Sequence, residues 1–204
     1  YLAALLGASA WIAAGFLFGF VYELLRHQRD EALPIGTVGV LGCLLALGLM
    51  RARRGRAFAE QFGTACSLVG QVVCSFAIYL LLREAMPFPD QLPRPLSWVG
   101  LAAIAATMAM LGPPPLHRFL CAALAAAAST AALSDGNLPL LQYTAPPLLA
   151  MASLWLWLRI ARPGEAGARV EPALSPAAWA FSLVALCMLW IGIESLGWGW
   201  LDTA

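Results

Sequence analysis

The chain has 204 residues, 61% of them hydrophobic and 11% charged, with a net charge of +1 and a mean hydropathy of +0.78. Soluble domains of this size run at roughly 45–50% apolar and about 25% charged, so one water-surrounded core would not absorb the excess. The near-zero net charge excludes a global field directed at nucleic acid or an acidic partner.

The apolar residues fall into seven stretches: Leu2 to Tyr22, Leu33 to Met50, Phe62 to Leu82, Leu96 to Leu111, Leu116 to Leu133, Leu138 to Ile160 and Ala177 to Trp200. At about 1.5 Å of rise per residue, most reach or approach the roughly 30 Å of a bilayer's hydrocarbon core. None shows the ten-residue alternation of a membrane β-strand. Backbone donors in lipid must be satisfied within their own segment, which only a helix achieves here. The expected architecture is therefore all-α, a polytopic transmembrane helical bundle of about seven spans forming one domain over residues 1–204, with the lipid bilayer as its principal partner. The chain opens at Tyr1 inside an apolar run with no charged segment before it, so a cleavable signal peptide is not supported and a piece of a longer protein is expected.

In the first span Gly15 and Gly19 have the spacing that lets helices approach closely, and Gly42 with Ala46 and Gly63 with Ser67 repeat it later. The second span ends in Arg51-Ala52-Arg53-Arg54-Gly55-Arg56, the densest charge run. Beside a membrane face such arginines attract anionic lipid at about 1 kcal/mol each, but their simpler role is to set topology. Gln71 is the most central polar side chain of the third span; amides inside bundles usually act as interhelical glue. The fourth and fifth spans are separated only by Gly112-Pro113-Pro114-Pro115, which cannot continue a helix and predicts a tight hairpin. The fifth has six alanines between Ala122 and Ala128 and is expected inside the bundle.

The sixth span is interrupted by Gln142-Tyr143-Thr144-Ala145-Pro146-Pro147. An unwound stretch there would line a polar cavity; the simpler reading is Thr144 capping a helix that begins near Pro146. In the last span Glu194 stands one turn before Trp198-Gly199-Trp200. A carboxylate within a span is a functional candidate by default, although closeness to that aromatic boundary favours an interfacial position. Glu194, Gln71, Gln142 and Tyr143 are thus the candidate polar membrane site.

Alternating loops divide the 12 arginines unequally. One side holds Arg51, Arg53, Arg54, Arg56, Arg118, Arg159, Arg162 and Arg169, and the other Arg26, Arg29, Arg83 and Arg94. Positive charge stays inside, so the first side, and with it the amino terminus, is expected in the cytoplasm, with Arg51, Arg53, Arg54 and Arg56 as the topology determinant. Trp155, Trp157 and Trp179 then mark the inner boundary and Trp98, Trp198 and Trp200 the outer one.

Catalytic and metal chemistry find no motif. There is no HExxH, GxSxG, Walker loop or GxGxxG. The five cysteines, Cys43, Cys66, Cys74, Cys121 and Cys187, lie singly in apolar segments and read as small hydrophobes. His27 and His117 read as loop residues on opposite sides. No enzyme activity, metal or cofactor is expected.

Three stretches carry a resemblance: Ala10-Trp11-Ile12-Ala13-Ala14 with Gly19-Phe20; Phe58-Ala59-Glu60-Gln61-Phe62 leading to Ser67-Leu68-Val69-Gly70-Gln71; and Asn137-Leu138-Pro139-Leu140 with Pro146-Pro147-Leu148-Leu149. The chain resembles an uncharacterised bacterial multi-pass membrane family, domain of unknown function family 4401. The resemblance implies a bacterial inner-membrane protein, sometimes found beside an envelope protein bearing a Gly-Asp-Tyr motif. It also implies a longer chain with a tyrosine-rich tail, and it supplies no site residue. The functional expectation is a non-enzymatic assembly or anchoring partner of an envelope protein; the alternative is a small-solute or proton-coupled transporter subunit.

Overall fold

The computed structural model describes residues 2–25, 32–52, 57–85, 93–135, 148–156 and 174–187, and every element among them is helical. The long helices are α1 (Leu2–Leu25), α2 (Ala32–Ala52), α3 (Ala57–Ala85), α4 (Pro93–Leu111) and α5 (Pro115–Asp135). Two shorter helical stretches follow, α6 (148–156) and α7 (Leu174–Cys187). Among the described residues, four segments are long and apolar enough to cross a membrane: Ala32–Ala52, Ala57–Ala85, Arg94–Leu111 and Pro115–Leu133. Ala8–Leu17 of α1 and Leu174–Cys187 are shorter apolar stretches. The all-helical expectation holds among the described residues, and the helices run a few residues past the predicted apolar limits because polar first and last turns continue the same ladder.

Prolines open several of these helices. Pro93 and Pro115 are the first residues of α4 and α5, and Pro34 lies in the first turn of α2. A first-turn N–H has no intrahelical partner, so losing it there costs nothing. The predicted hairpin between α4 and α5 is three residues long, 112–114. The Gly112 N–H closes α4 on the Met108 carbonyl at 2.9 Å, and the Arg118 N–H opens α5 on the Pro114 carbonyl at 3.1 Å.

α3 is the centre of the described bundle, touching α1, α2, α4 and α5. Half of its apolar window is buried, against 39% for α5, 28% for α2 and 22% for α4. The alanine-rich fifth span is thus well covered, but α3 lies deepest. Most of its inward side chains are small or polar: Gly63, Thr64, Ser67, Gly70, Gln71, Cys74, Ser75 and Ala77 are buried, with Leu80 the large exception, while Val72, Phe76 and Leu81 are exposed. α2 shows a related pattern, with Ala32, Gly39, Cys43 and Ala46 inward beside Ile35, Leu47 and Met50, and with Leu33, Val40, Leu41, Leu44 and Leu45 outward. A water-soluble helix keeps its large aliphatic residues inside; here five of them face out.

α2 and α3 pair antiparallel along one small-residue seam. Gly36 meets Ala77, Gly39 meets Cys74, Cys43 meets Gly70, and Met50 meets Gly63. A β-carbon added to Gly39 would lie 2.8 Å from the Cys74 nitrogen and 2.9 Å from the Gly70 carbonyl oxygen. One added to Gly70 would lie 2.9 Å from the Gly39 carbonyl oxygen and 3.0 Å from the Cys43 nitrogen. These obstacles are backbone atoms, which cannot swing aside, so only glycine allows the approach. The expected Gly42–Ala46 and Gly63–Ser67 spacings fall on this seam or beside it. Gly15 and Gly19 do not: no described residue lies within 4 Å of a β-carbon at either.

Contacts along the bundle orient the helices. The end of α2 (Met50), the start of α3 (Cys66) and the end of α4 (Met108) share one apolar cluster with Cys121 of α5. Ser97, early in α4, accepts at its carbonyl from the Ser75 hydroxyl in the second half of α3, at 3.0 Å. α4 therefore runs opposite to α3, and α5 runs parallel with α3. Arg51 and Arg118 lie at one end of this bundle, Arg83 and Arg94 at the other. At the chain's later end α6 and α7 meet through Ser153, whose hydroxyl donates to the Ala178 carbonyl at 3.0 Å and lies 2.6 Å from Ser182 Oγ.

Candidate functional site

The only predicted membrane-site residue inside the described segments is Gln71. Glu194, Gln142 and Tyr143 lie outside them, as do Arg53, Arg54 and Arg56 of the arginine run, His27, and the stretch around Thr144 and Pro146.

Gln71 is fully buried and belongs to a polar ring between α3 and α5 that sequence reasoning did not assemble. Its partners are Ser67 one turn earlier on α3, and His117 and Cys121 one turn apart on α5. Gln71 Nε2 donates to Ser67 Oγ at 2.9 Å and to Cys121 Sγ at 3.3 Å. His117 Nε2 lies 2.9 Å from Ser67 Oγ and 3.4 Å from Cys121 Sγ. Four polar atoms thus form a closed loop in which each touches two others. Because α3 and α5 run parallel, the i and i+4 positions of one helix face the i and i+4 positions of the other. The direction of the Ser67–His117 bond follows the imidazole tautomer. All four residues are 0% exposed.

His117 is the main correction to the sequence reading. It is not a loop residue: it is the third residue of α5, drawn inside the bundle by the tightness of the 112–114 hairpin. Gly112 lies directly against the imidazole, and a β-carbon there would overlap the ring at Nδ1 and Cε1. Cys121 is likewise more than a space-filling hydrophobe, since it completes the ring. The signal available in the chain was the paired spacing, Ser67 with Gln71 and His117 with Cys121, each four residues apart.

One atom of the ring residues has no partner among the described residues. Gln71 Oε1 is buried without a hydrogen bond from any of them, a state that ordinarily costs about 1–3 kcal/mol. Cys43 of α2 approaches from the other side, its thiol donating to the Ser67 carbonyl at 3.8 Å. Among the described residues, no three His, Cys, Asp or Glu side chains gather at one point.

The arginines near this end act on the backbone. Arg118 Nε donates to the Gly112 carbonyl at 2.8 Å, and an Arg51 terminal nitrogen lies 3.5 Å from the Leu111 carbonyl oxygen. Both guanidinium groups thus sit on the last carbonyls of α4, where a cation complements the helix dipole. Arg118 also borders a cavity of about 370 Å³ with Ala106, Ala109, Ala122, Leu174 and Phe181. The ring residues do not line this cavity.

Comparison with known proteins gives a family and no activity. No curated protein and no solved structure matches the chain. Residues 1–201 match one family, described as Domain of unknown function (DUF4401). With nearly the whole length covered, the chain belongs to that family of unknown function.

Proposed function

We propose that this chain is an integral multi-pass protein of the bacterial inner membrane, with about seven spans and a cytoplasmic amino terminus, and that it assembles with or anchors another envelope protein rather than catalysing a reaction. The observation that carries the membrane reading is the reversed patterning of α2. Leu33, Val40, Leu41, Leu44 and Leu45 lie outward, while the inward row holds Ala32, Gly39, Cys43 and Ala46 along with Ile35, Leu47 and Met50. That arrangement suits hydrocarbon outside and close helix packing inside, with van der Waals contact rather than water exclusion holding the helices together.

The anchoring role is supported by where the charges lie. The described acidic and basic side chains stand toward helix ends: Glu23 in α1, Arg51 in α2, Glu60, Arg83 and Glu84 in α3, Arg94 in α4, and Arg118 in α5. Ion and proton pathways commonly place several ionisable groups among the helices, and the described interior holds His117 alone. The test is purification of the intact chain in mild detergent, followed by reconstitution of the chain by itself. An envelope protein co-purifying in fixed stoichiometry is the expected result. Solute or proton flux through the chain alone, abolished by Glu194→Gln, would overturn it in favour of transport. Orientation is tested by reporter fusions: moving the arginines of the 51–56 run into the next loop is expected to perturb it.

A further inference from the structure

We propose that the cavity between α4, α5 and α7 is a binding site for one anionic phospholipid, its phosphate held at the Arg118 guanidinium and one acyl chain laid along an alanine floor. Such a site requires the bundle to sit in a bilayer, as proposed above, and adds to that reading a defined lipid partner. The spacing of the lining residues sets the layout. On α5, Arg118, Ala122 and Ala125 stand at i, i+4 and i+7 and so share one face. Arg118 is the fourth residue of the helix, and Ala125 lies about 10 Å further along its axis. On α4, which runs opposite to α5, Ala109 and Ala106 descend beside them. The cation thus stands at the end of the bundle and the apolar floor runs inward from it, in the order of a headgroup and its chain.

The chemistry of the lining selects the occupant. The cavity holds about 370 Å³, within the roughly 300–1,000 Å³ of small-molecule sites. Apart from Arg118 its lining side chains are apolar, with Phe181 contributed by α7. A trapped water needs about two to four polar partners, which these side chains do not supply; a hydrocarbon chain needs none. Ala106 is exposed, so the cavity opens to its surroundings and a chain enters from the side.

Charge decides the headgroup. Arg118 is fixed by its Nε bond to the Gly112 carbonyl at 2.8 Å, and Arg51 lies against the neighbouring Leu111 carbonyl at 3.5 Å. Two guanidinium groups are therefore gathered at the end of α4, one of them lining the cavity. Among the described residues, no acidic side chain lines it. Basic pockets between spanning helices suit anionic headgroups, and guanidinium pairs with phosphate through parallel hydrogen bonds. A zwitterionic lipid brings its own ammonium group toward the same two cations, which repel it.

The experiment exposes the full chain in mild detergent to an equimolar mixture of phosphatidylglycerol and phosphatidylcholine with identical acyl chains. Native mass spectrometry then counts the lipids retained. One phosphatidylglycerol should be retained, with a preference of about five-fold or more, the effect of one arginine at a membrane surface. Arg118→Gln should remove about five-fold of that preference. Ala106→Phe, which puts a ring at the opening and leaves every arginine in place, should lower phosphatidylglycerol retention by a similar factor. Arg83→Gln, at the other end of the bundle, should leave it unchanged. Equal retention of the two lipids would overturn the proposal. So would equal losses in Arg83→Gln and Arg118→Gln, or displacement of the lipid by millimolar inorganic phosphate, which would show a simple anion site. Should Arg118→Gln fail to fold, Ala106→Phe decides. Equal retention leaves the membrane reading intact, whereas a chain that stays folded and monomeric without detergent removes that reading and this site together.

Discussion

Ser67 and His117 meet 2.9 Å apart at a point with no solvent access, and they are the outer pair of a two-turn polar contact between α3 and α5. The contact between these helices is otherwise slight compared with that of α3 against α2 or α4. Interhelical hydrogen bonds in membrane proteins contribute about 0.6 kcal/mol on average and up to about 1.7 kcal/mol. A double-mutant cycle of Ser67→Ala with His117→Phe should give a coupling energy in the upper part of that range, since both groups are buried. Reversible unfolding in bicelles measures it. Coupling indistinguishable from zero would show that the bond adds nothing to the α3–α5 contact.

Gln71 should behave differently. Its amide donates twice, but its oxygen is buried and unmatched among the described residues. Gln71→Leu removes two modest bonds together with an unsatisfied acceptor that costs about 1–3 kcal/mol. The two contributions offset each other, so stability should change by less than about 1 kcal/mol. A loss well above that in the same unfolding measurement would mean that the oxygen is satisfied in the folded protein.

Glycines separate into two classes by what surrounds them. At Gly39 and Gly70 an added methyl meets backbone atoms of the opposite helix at 3.0 Å or less, whereas at Gly15 and Gly19 it meets no described residue within 4 Å. Gly39→Ala or Gly70→Ala must push α2 and α3 apart, at about 1–3 kcal/mol. Gly15→Ala and Gly19→Ala should be neutral or slightly stabilising in the chain by itself, since alanine is the better helix former. Equal melting temperatures for Gly39→Ala and Gly15→Ala would contradict the seam.

Much of this frame is legible in the chain, for identifiable reasons. Apolar stretches and proline breaks locate the helices because hydrocarbon allows the backbone no other solution, and the expected start of the fifth span at Leu116 falls one residue after the observed first residue of α5, Pro115, which the sequence reading places in the hairpin. Glycine spacing is less informative. It predicts close approach equally for Gly15 with Gly19 and for the α2–α3 seam, and only three-dimensional contact separates them. The ring was illegible because its two halves are 50 residues apart and each half looks ordinary. His117 beside Arg118 after three prolines reads as a loop, and Cys121 inside an alanine run reads as filler. Their meaning appears only once α3 and α5 are known to run parallel.

Arg118 and Arg51 share one task with unequal geometry. Arg118 Nε lies 2.8 Å from the Gly112 carbonyl oxygen, and the Arg51 nitrogen 3.5 Å from that of Leu111. A cation at a helix C-terminus is worth about 0.3–1 kcal/mol and more where it is partly buried. Arg118 is half-buried and Arg51 exposed. Arg118→Gln should therefore cost more than Arg51→Gln, with only the former loosening the hairpin. Amide hydrogen exchange at Gly112 and Arg118, which hold the two sides of the hairpin, reads this directly; faster exchange in Arg51→Gln than in Arg118→Gln would reverse the assignment.

Gly112 ties the hairpin to the polar ring. A methyl at this position overlaps the His117 imidazole at Nδ1 and Cε1. The ring nitrogen on the far side is the one that meets Ser67 and Cys121. The imidazole is fully buried, so it can yield only by moving toward those partners or by drawing the hairpin away from α5. Either movement breaks the geometry at Nε2. Gly112→Ala should then cost at least as much as Ser67→Ala, and the two should not add, because the first already removes what the second deletes. Measured together in one unfolding series, the double variant should fall short of the summed single losses. Strict additivity would mean that Gly112 acts on the hairpin alone and leaves the α3–α5 contact untouched.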